Sequence, residues 1–289
     1  ATLIGKLIEE GKLGWKTQLK DVFGSELNLH TSLKYVTIEM LLAHRSGLQR
    51  ETPTNIFETL KNDQRILPRD ARKLLMRELL GNAPEKTPNT VFQYSNMGYT
   101  VLGAVAEKIT NTPWETLMKD KIFTPLNMYS CSFGNPGKHG QDYSQPWGHK
   151  RVNGVITPIA PGFYEGNLSI KWPGGGVHCS LGDLLQYYQA HLDGYAGKSN
   201  IVKSTTYKKL HTPYSGSGTQ YTYGGWFYSG FRSWANGPTL SHSGTIGTFY
   251  STVWIGLKAN KAMVTLTNVR NTNTLQSAFA EKVLSYLND

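Results

Sequence analysis

Apolar residues recur at helical spacing from the start of the chain. Leu3, Ile4, Leu7 and Ile8 share one face of ATLIGKLIEEGKL, and Gly11 follows as the glycine stop of such a helix. Thr37 stands as a side-chain cap ahead of Ile38-Glu39-Met40-Leu41-Leu42, a second helix that ends before Ser46-Gly47. Further helical patterns run from Pro68 to Leu80, Asn96 to Thr110 and Pro113 to Ile122, separated by Gly, Pro and Asn. Leu181, Leu184, Leu185, Tyr188 and Leu192 define another helical face, with Ser180 placed to cap it and Gly194 to stop it. Towards the end the period changes. The runs at 224–228, 249–257 and 262–269 are β-branched and aromatic, with Lys258 to Lys261 as a hairpin loop between the last two. Leu275, Ala278, Phe279, Val283 and Leu287 then predict a terminal amphipathic helix. Between Asn135 and Gly176 the composition turns to Gly, Pro, Asn and aromatic residues with little period, which reads as long ordered loops near a site or an interface. The order of elements predicts an α+β fold, an antiparallel sheet flanked by helices with a mainly helical region beside it. The expected divisions are 1–36, 37–172 and 173–289.

Composition narrows the class. A chain of 289 residues with 39% hydrophobic and 17% charged residues is globular rather than disordered or fibrous. The apolar run from Val101 to Ala106 falls well short of the roughly 20 residues of a bilayer span, so no transmembrane segment is expected. Thirty Lys and Arg against twenty Asp and Glu leave a charge of +10, which raises the question of nucleic acid or anionic surfaces. The densest basic stretch, Arg65, Arg69, Arg72, Lys73 and Arg77, has helical spacing and no nucleic-acid motif beside it. It reads as a solvated basic face, and no nucleic-acid partner is expected. Cys131 and Cys179 form neither a C-x-x-C nor a zinc pattern, and the eight His include no H-E-x-x-H, so neither a metal nor a cofactor is expected. One disulfide or two free thiols fit equally. Low charge with 16 Tyr and 7 Trp leans towards an extracytoplasmic location.

Candidate chemistry enters by elimination and then by likeness. G-x-S-x-G, Walker and Rossmann signatures are absent. Five segments do carry a likeness, in order: LIGKLIEEGKL at 3–13, VTIEMLLAHRSGL at 36–48, FQYSNMGYTVLGAVAEKIT at 92–110, PGGGVHCSLGDLLQYYQAHL at 173–192 and LSHSGTIGTFYSTVWIGLKANKAMVTLTNV at 240–269. With these the chain resembles the penicillin-recognising serine hydrolases, which comprise class C β-lactamases, D-Ala-D-Ala carboxypeptidases and related esterases. The resemblance implies a β-lactamase/transpeptidase-like fold and cleavage of an amide or ester of a small-molecule or peptide substrate through an acyl-enzyme. Tyr94-Ser95-Asn96 matches the family's Tyr-x-Asn element, so Tyr94 is implied to exchange a proton with the nucleophile and Asn96 to hydrogen-bond substrate. A phenol with an ordinary pKa near 10 is a poor base at neutral pH, so nearby cations are expected to favour its phenolate. His242-Ser243-Gly244 matches the Lys/His-Ser/Thr-Gly strand that binds substrate, with His where β-lactamases usually have Lys. Gly244 would let the substrate backbone approach, and the Thr245 N–H would donate to an oxyanion hole.

The family's nucleophile motif is Ser-x-x-Lys, and no serine of this chain has a lysine three places on. By resemblance the motif opens the helix that continues as ATLIGKLIEEGKL, which places its serine about seven residues before Ala1. The helix, lacking a residue to cap it ahead of Ala1, reads as a continuation. A preceding segment or an associated N-terminal fragment is therefore expected to carry Ser-x-x-Lys. A non-catalytic relative that keeps the pocket for binding or assembly is the rival reading. Structural readings stand beside each functional one: Tyr94 as a buried aromatic, Asn96 as a helix cap, His242 as a polar strand residue. Ser95 is expected to be structural, Asp183 to cap or salt-bridge near the start of its helix, and His44 and Ser46 to shape the loop after the second helix.

Overall fold

The first helix, α1 (Thr2–Glu9), stops where its glycine predicts. Gly11 takes φ +70°, its N–H bonds the Ile8 carbonyl, and the Lys12 N–H bonds the Leu7 carbonyl, the paired bonds of a Schellman stop. The structure is a computed structural model that describes residues 1–62, 66–137, 144–161, 169–215, 220–269 and 285. Helices α2 (Leu19–Phe23), α3 (Ile38–Leu42), α4 (Thr54–Asn62), α5 (Pro68–Gly81), α6 (Asn96–Thr110) and α7 (Trp114–Met118) follow. Two short ladders come next. Strands β1 (Ser132–Phe133), β2 (Gly148–Val152) and β3 (Val155–Ile159) precede α8 (Trp172–Gly175) and β4 (Val177–His178); β1 pairs with β4 and β2 with β3. After α9 (Leu181–Tyr195) and α10 (Ser204–Leu210) the antiparallel sheet forms from β5 (Phe227–Arg232), β6 (Gly237–Ile246), β7 (Phe249–Gly256) and β8 (Lys261–Thr267), in that order. One large core joins α1, α3, α5 and α6 through residues such as Leu7, Leu41, Leu75 and Val101, and a smaller one seats Tyr188 and Leu192 of α9 on Leu240, Val253 and Ile255 of the sheet.

Local signals held where they were strongest. Thr37 caps α3 by accepting the Met40 N–H, and Ser180 caps α9 by accepting that of Asp183. Other expectations need correction. Gly194 does not stop α9; it lies inside the helix, where its missing Cβ makes room for the Tyr207 ring, whose nearest atom would stand 2.0 Å from a Cβ. The stop is Gly197, at φ +101°, with the Lys198 N–H on the Asp193 carbonyl. Of the face predicted for α9, Leu181 and Leu185 are exposed. The helix expected from Pro113 to Ile122 is α7 continued by a π-helical turn over Lys119–Phe123. The 224–228 run becomes strand only at Phe227, because Gly225 at φ +84° makes a turn first. The stretch from 135 to 176 is not all loop. Asn153-Gly154, both at positive φ, closes the β2–β3 hairpin, a turn signal the composition had masked. The terminal helix falls outside the described residues but for Ser285.

The largest correction concerns the basic stretch. Arg72 is not on a solvated face; its side chain is fully buried, with Nη2 2.6 Å from Glu107 Oε1 and 2.9 Å from Glu115 Oε1. Its Nη1 donates to the Ser169 carbonyl, so α5, α6, α7 and the segment leading to α8 meet at one guanidinium.

Of the two cysteine readings the structure holds the disulfide, Cys131–Cys179, which closes a loop of 48 residues between the approach to β1 and the start of α9. Loop-closure entropy puts its contribution at about 2–4 kcal/mol. Urea unfolding of the paired Cys131→Ser, Cys179→Ser variant is expected to show that loss. An unchanged midpoint would remove the bond from the account of stability.

Candidate active site

Alternation along β6 sorts the predicted site residues. Leu240 is buried on the inner face, so His242 and Gly244, two and four places on, share that face, while Ser243 and Thr245 point to the other. Their contacts agree. The Ser243 hydroxyl bonds that of Thr252 at 2.8 Å, and the Thr245 hydroxyl donates to the Phe249 carbonyl at 3.0 Å. His242 and Gly244 instead line a cavity of about 370 Å³ together with Tyr94 and Asn96. Ala1, Leu3 and Ile4 of the α1 end, Gly174 and Gly175 of α8, and Tyr221 and Trp226 ahead of β5 complete much of its wall. The structure thus brings four of the six predicted residues to one cavity; the side chains of Ser243 and Thr245 are turned away from it. Pairing of β6 with β5 ends at Phe227↔Ser241, so among the described residues the edge from His242 to Ile246 has no strand partner on that side. The alternate backbone N–H groups that face that edge are the donors left there.

Tyr94 is held between aromatic rings and one cation. Its ring centroid lies 6.2 Å from that of His242 and 4.2 Å from that of His44, and the Arg50 guanidinium sits 5.4 Å from the Tyr94 centroid. Burial raises the Tyr94 pKa, Arg50 opposes that and Glu51 adds to it. The phenol is therefore neutral, contrary to the expectation that cations favour the phenolate: the single cation over the ring does not outweigh loss of water. Burial likewise lowers the His242 pKa, opposed by a hydrogen bond with the Ser243 backbone, so the imidazole is neutral at pH 7.

The helix that follows Tyr94 is fixed by its neighbour. Ser95 caps α6, accepting the Gly98 N–H at 3.0 Å and donating to the Gln49 carbonyl at 2.6 Å, which leaves its hydroxyl occupied. The cap is Ser95 and not Asn96. Asn96 donates from Nδ2 to Glu51 Oε1 at 3.3 Å, and Glu51 Oε2 accepts from Lys171 at 2.9 Å. Asp183 accepts from both the N–H and the hydroxyl of Ser130, which ties the first turn of α9 to the disulfide segment.

His44 goes beyond the loop role expected of it. It leaves α3 at φ +56°, its carbonyl accepts the Gln93 N–H, and its Nδ1 accepts the Ser95 N–H at 3.1 Å. Burial, helped by His242, lowers its pKa to about 3, so the ring is neutral and its proton sits on Nε2, aimed at the Tyr221 hydroxyl 3.2 Å away. One residue thus holds the backbone on both sides of Tyr94, through its carbonyl at Gln93 and its ring at Ser95. The only sequence signal was a histidine directly after a buried helix. Arg50, Glu51 and Lys171 carried none.

A family model described as Beta-lactamase matches residues 1–286, and the chain belongs to that family. It is 25% identical over 289 residues to Protein flp of Staphylococcus aureus (strain N315), covering 98% of this chain and 52% of that protein. It is 25% identical over 250 residues to a putative penicillin-binding protein, PbpX, of Bacillus subtilis (strain 168), covering 86% and 56%. The chain spans about half the length of these curated relatives. Among solved structures, the octameric penicillin-binding protein homologue from Pyrococcus abyssi superposes with TM-score 0.71 at 22% identity, covering 98% of this chain and 62% of that one. A class C beta-lactamase superposes with TM-score 0.72 at 20% identity, covering 99% and 78%. The fold is the β-lactamase/transpeptidase-like one, with helices and antiparallel sheets. The matches lend no support to a separate fragment carrying Ser-x-x-Lys. No helix among the described residues is long and apolar enough to cross a membrane.

Proposed function

We propose that the cavity belongs to a serine hydrolase that cleaves an amide or ester of a small molecule or peptide through an acyl-enzyme. The observation that carries this reading is convergence: Tyr94, Asn96, His242 and Gly244, from segments far apart in sequence, line one cavity at the N-terminal end of α1. In this reading the nucleophile is the serine of a Ser-x-x-Lys pair presented at that end of α1. Tyr94 exchanges its proton with the nucleophile and leaving group. As a neutral phenol it is poised to donate, and the ammonium of the paired lysine is the cation that would make it a base. The Asn96 amide, steadied by Glu51, and His242 bind substrate. Gly244 leaves room for the substrate backbone and the Thr245 N–H donates to the oxyanion, a donor worth about 3–4 kcal/mol of transition-state stabilisation. Ser243 contributes through its backbone, since its hydroxyl is bonded to Thr252. Histidine at 242 in place of lysine favours peptidase or esterase substrates over β-lactams.

A fluorophosphonate and a fluorescent penicillin test this on two proteins: the 289-residue chain, and the same chain preceded by about two helical turns that open with Ser-x-x-Lys. Labelling is expected only of the second, lost on Ser→Ala and slowed about 10²–10⁴-fold by Tyr94→Phe. Labelling of the 289-residue chain alone would place the nucleophile elsewhere. A folded extended chain that neither probe labels would favour the non-catalytic reading.

A further inference from the structure

Among the described residues the β2–β3 hairpin has no packing partner at its tip. From Lys150 to Ile156 seven consecutive residues are exposed, among them Val152, Val155 and Ile156 at 40%, 65% and 49%. Register assigns their faces. Val152 pairs with Val155 and Lys150 with Thr157 on one face, and Arg151 pairs with Ile156 on the other. Aliphatic side chains therefore stand on both faces of the tip, with one basic residue beside them on each.

The finger is anchored at its base and closed by a tight turn rather than a slack loop. At its base Gly148 is buried, the His149 N–H bonds the Asn268 carbonyl at 2.6 Å, and Asn268 Nδ2 bonds the Trp147 carbonyl at 2.8 Å. At its tip Asn153 and Gly154 take φ +48° and +84°, the two-residue turn that suits a twisted hairpin, and Arg151 Nη1 donates to the Gly154 carbonyl. A two-stranded hairpin uncovered on both faces is marginal in water. Its three aliphatic residues gain little from folding unless something else buries them.

We propose that this hairpin tip docks the protein on an anionic lipid surface. Charge favours that occupant. The sequence has no acidic residue between Asp142 and Glu165, Lys150 and Arg151 flank the aliphatic tip, and the whole chain carries +10. Shape favours it too. A partner protein's flat groove would cover one face, whereas the aliphatic residues occupy both faces and the end, so a medium that surrounds the tip buries all three. Val152, Val155 and Ile156 enter the headgroup boundary while the Lys150 ammonium and the Arg151 guanidinium remain among the phosphates.

Co-sedimentation with vesicles tests the proposal on the protein as it stands. Binding is expected to vesicles of phosphatidylcholine mixed with phosphatidylglycerol, and not to phosphatidylcholine alone. Lys150→Glu with Arg151→Glu is expected to weaken it at least about tenfold, on the basis of the contribution per basic residue at such a surface. Val155→Ser with Ile156→Ser leaves the charge unchanged and is expected to weaken binding several-fold. A control with the same change of charge, Lys12→Glu with Lys16→Glu in the exposed link between α1 and α2, is expected to change it far less. A fluorophore on Val155→Cys should shift to the blue with the anionic vesicles. Equal binding by the Val155/Ile156 pair would show that bulk charge alone holds the protein and would overturn the proposal, as would an unshifted fluorophore. A blue shift that grows with protein concentration without lipid would overturn it in favour of a second copy of this chain.

Discussion

Replacing Arg72 by Met is expected to lower the stability of the fold by about 3–5 kcal/mol, because two largely buried carboxylates lose the charge that compensates them. Glu107 is almost wholly enclosed and Glu115 mostly so, and both lie within hydrogen-bond distance of the same Nη2. The loss should be recovered in large part by adding Glu107→Gln and Glu115→Gln. An amide oxygen at 107 can still accept the Trp114 N–H that now bonds Glu107 Oε1, and no uncompensated charge remains. Urea unfolding of the single, double and triple variants closes the cycle. A single-variant loss below about 1 kcal/mol would mean that water reaches the carboxylates and that the triad is only an exposed pair. The effect reaches the cavity as well. Arg72 also fixes the Ser169 carbonyl, a few residues before α8, and α8 closes on α6 so tightly that a Cβ on Gly174 would lie 2.8 Å from the Asn96 carbonyl oxygen. Loosening the triad therefore loosens the wall that faces Asn96.

Arg72 also marks the boundary of what the chain discloses in advance. Its spacing with Arg69, Lys73 and Arg77 predicts a helix correctly, but the residues do not share a face: Arg72 is buried while Lys73 and Arg77 are exposed, and nothing near it in sequence says so, since its partners lie 35 and 43 residues away. Features whose cause is local were readable. Helix α6 runs over the expected residues because its start is capped by Ser95, one place away, and its end is marked by Asn111 in the left-handed conformation at φ +53°. Tyr94, Asn96, His242 and Gly244 were found through motif likeness, and the structure brings them to one cavity. The strand period would have turned Ser243 outward, but the motif placed it with its neighbours. His44 was undervalued for the opposite reason: its contacts, Ser95 and Tyr221, lie 51 and 177 residues away.

Acid is expected to unfold the protein well before its surface carboxylates would require it. Burial lowers the pKa of His44 to about 3 and of His211 to about 4, and it holds His191 well below the ordinary value, with the neighbouring His211 adding to that. Neither charge nor a free acceptor awaits a second proton. The His44 nitrogens face the Ser95 N–H and the Tyr221 hydroxyl. His191 faces the Thr2 hydroxyl and His211, with the rings of Tyr187, Tyr207 and Trp226 around it. Among the described residues no carboxylate hydrogen-bonds any of the three. The unfolded chain takes up these protons near pH 6.5, whereas the folded one resists until the lowered values are reached. Stability is thus complete above about pH 6.5 and falls as the pH drops, by about 1.4 kcal/mol per unit for each histidine, until His211 titrates near 4 and His44 near 3. Urea midpoints at half-unit steps should be nearly level above about pH 7 and approach a loss of about 4 kcal/mol per unit for the three together between about pH 6 and about pH 5. His211→Gln or His44→Gln is expected to remove about a third of that slope, whatever either costs at neutral pH. A flat profile over this range would show that water enters both clusters. Protonation of His44 has a second consequence, because a proton on Nδ1 meets the Ser95 N–H donor head-on and releases the backbone that follows Tyr94, leaving the carbonyl bond to Gln93 in place. In molecules that stay folded, the cavity should therefore lose the placement of its phenol only as the pH approaches 3, at the acid end of the range in which the fold loses its stability.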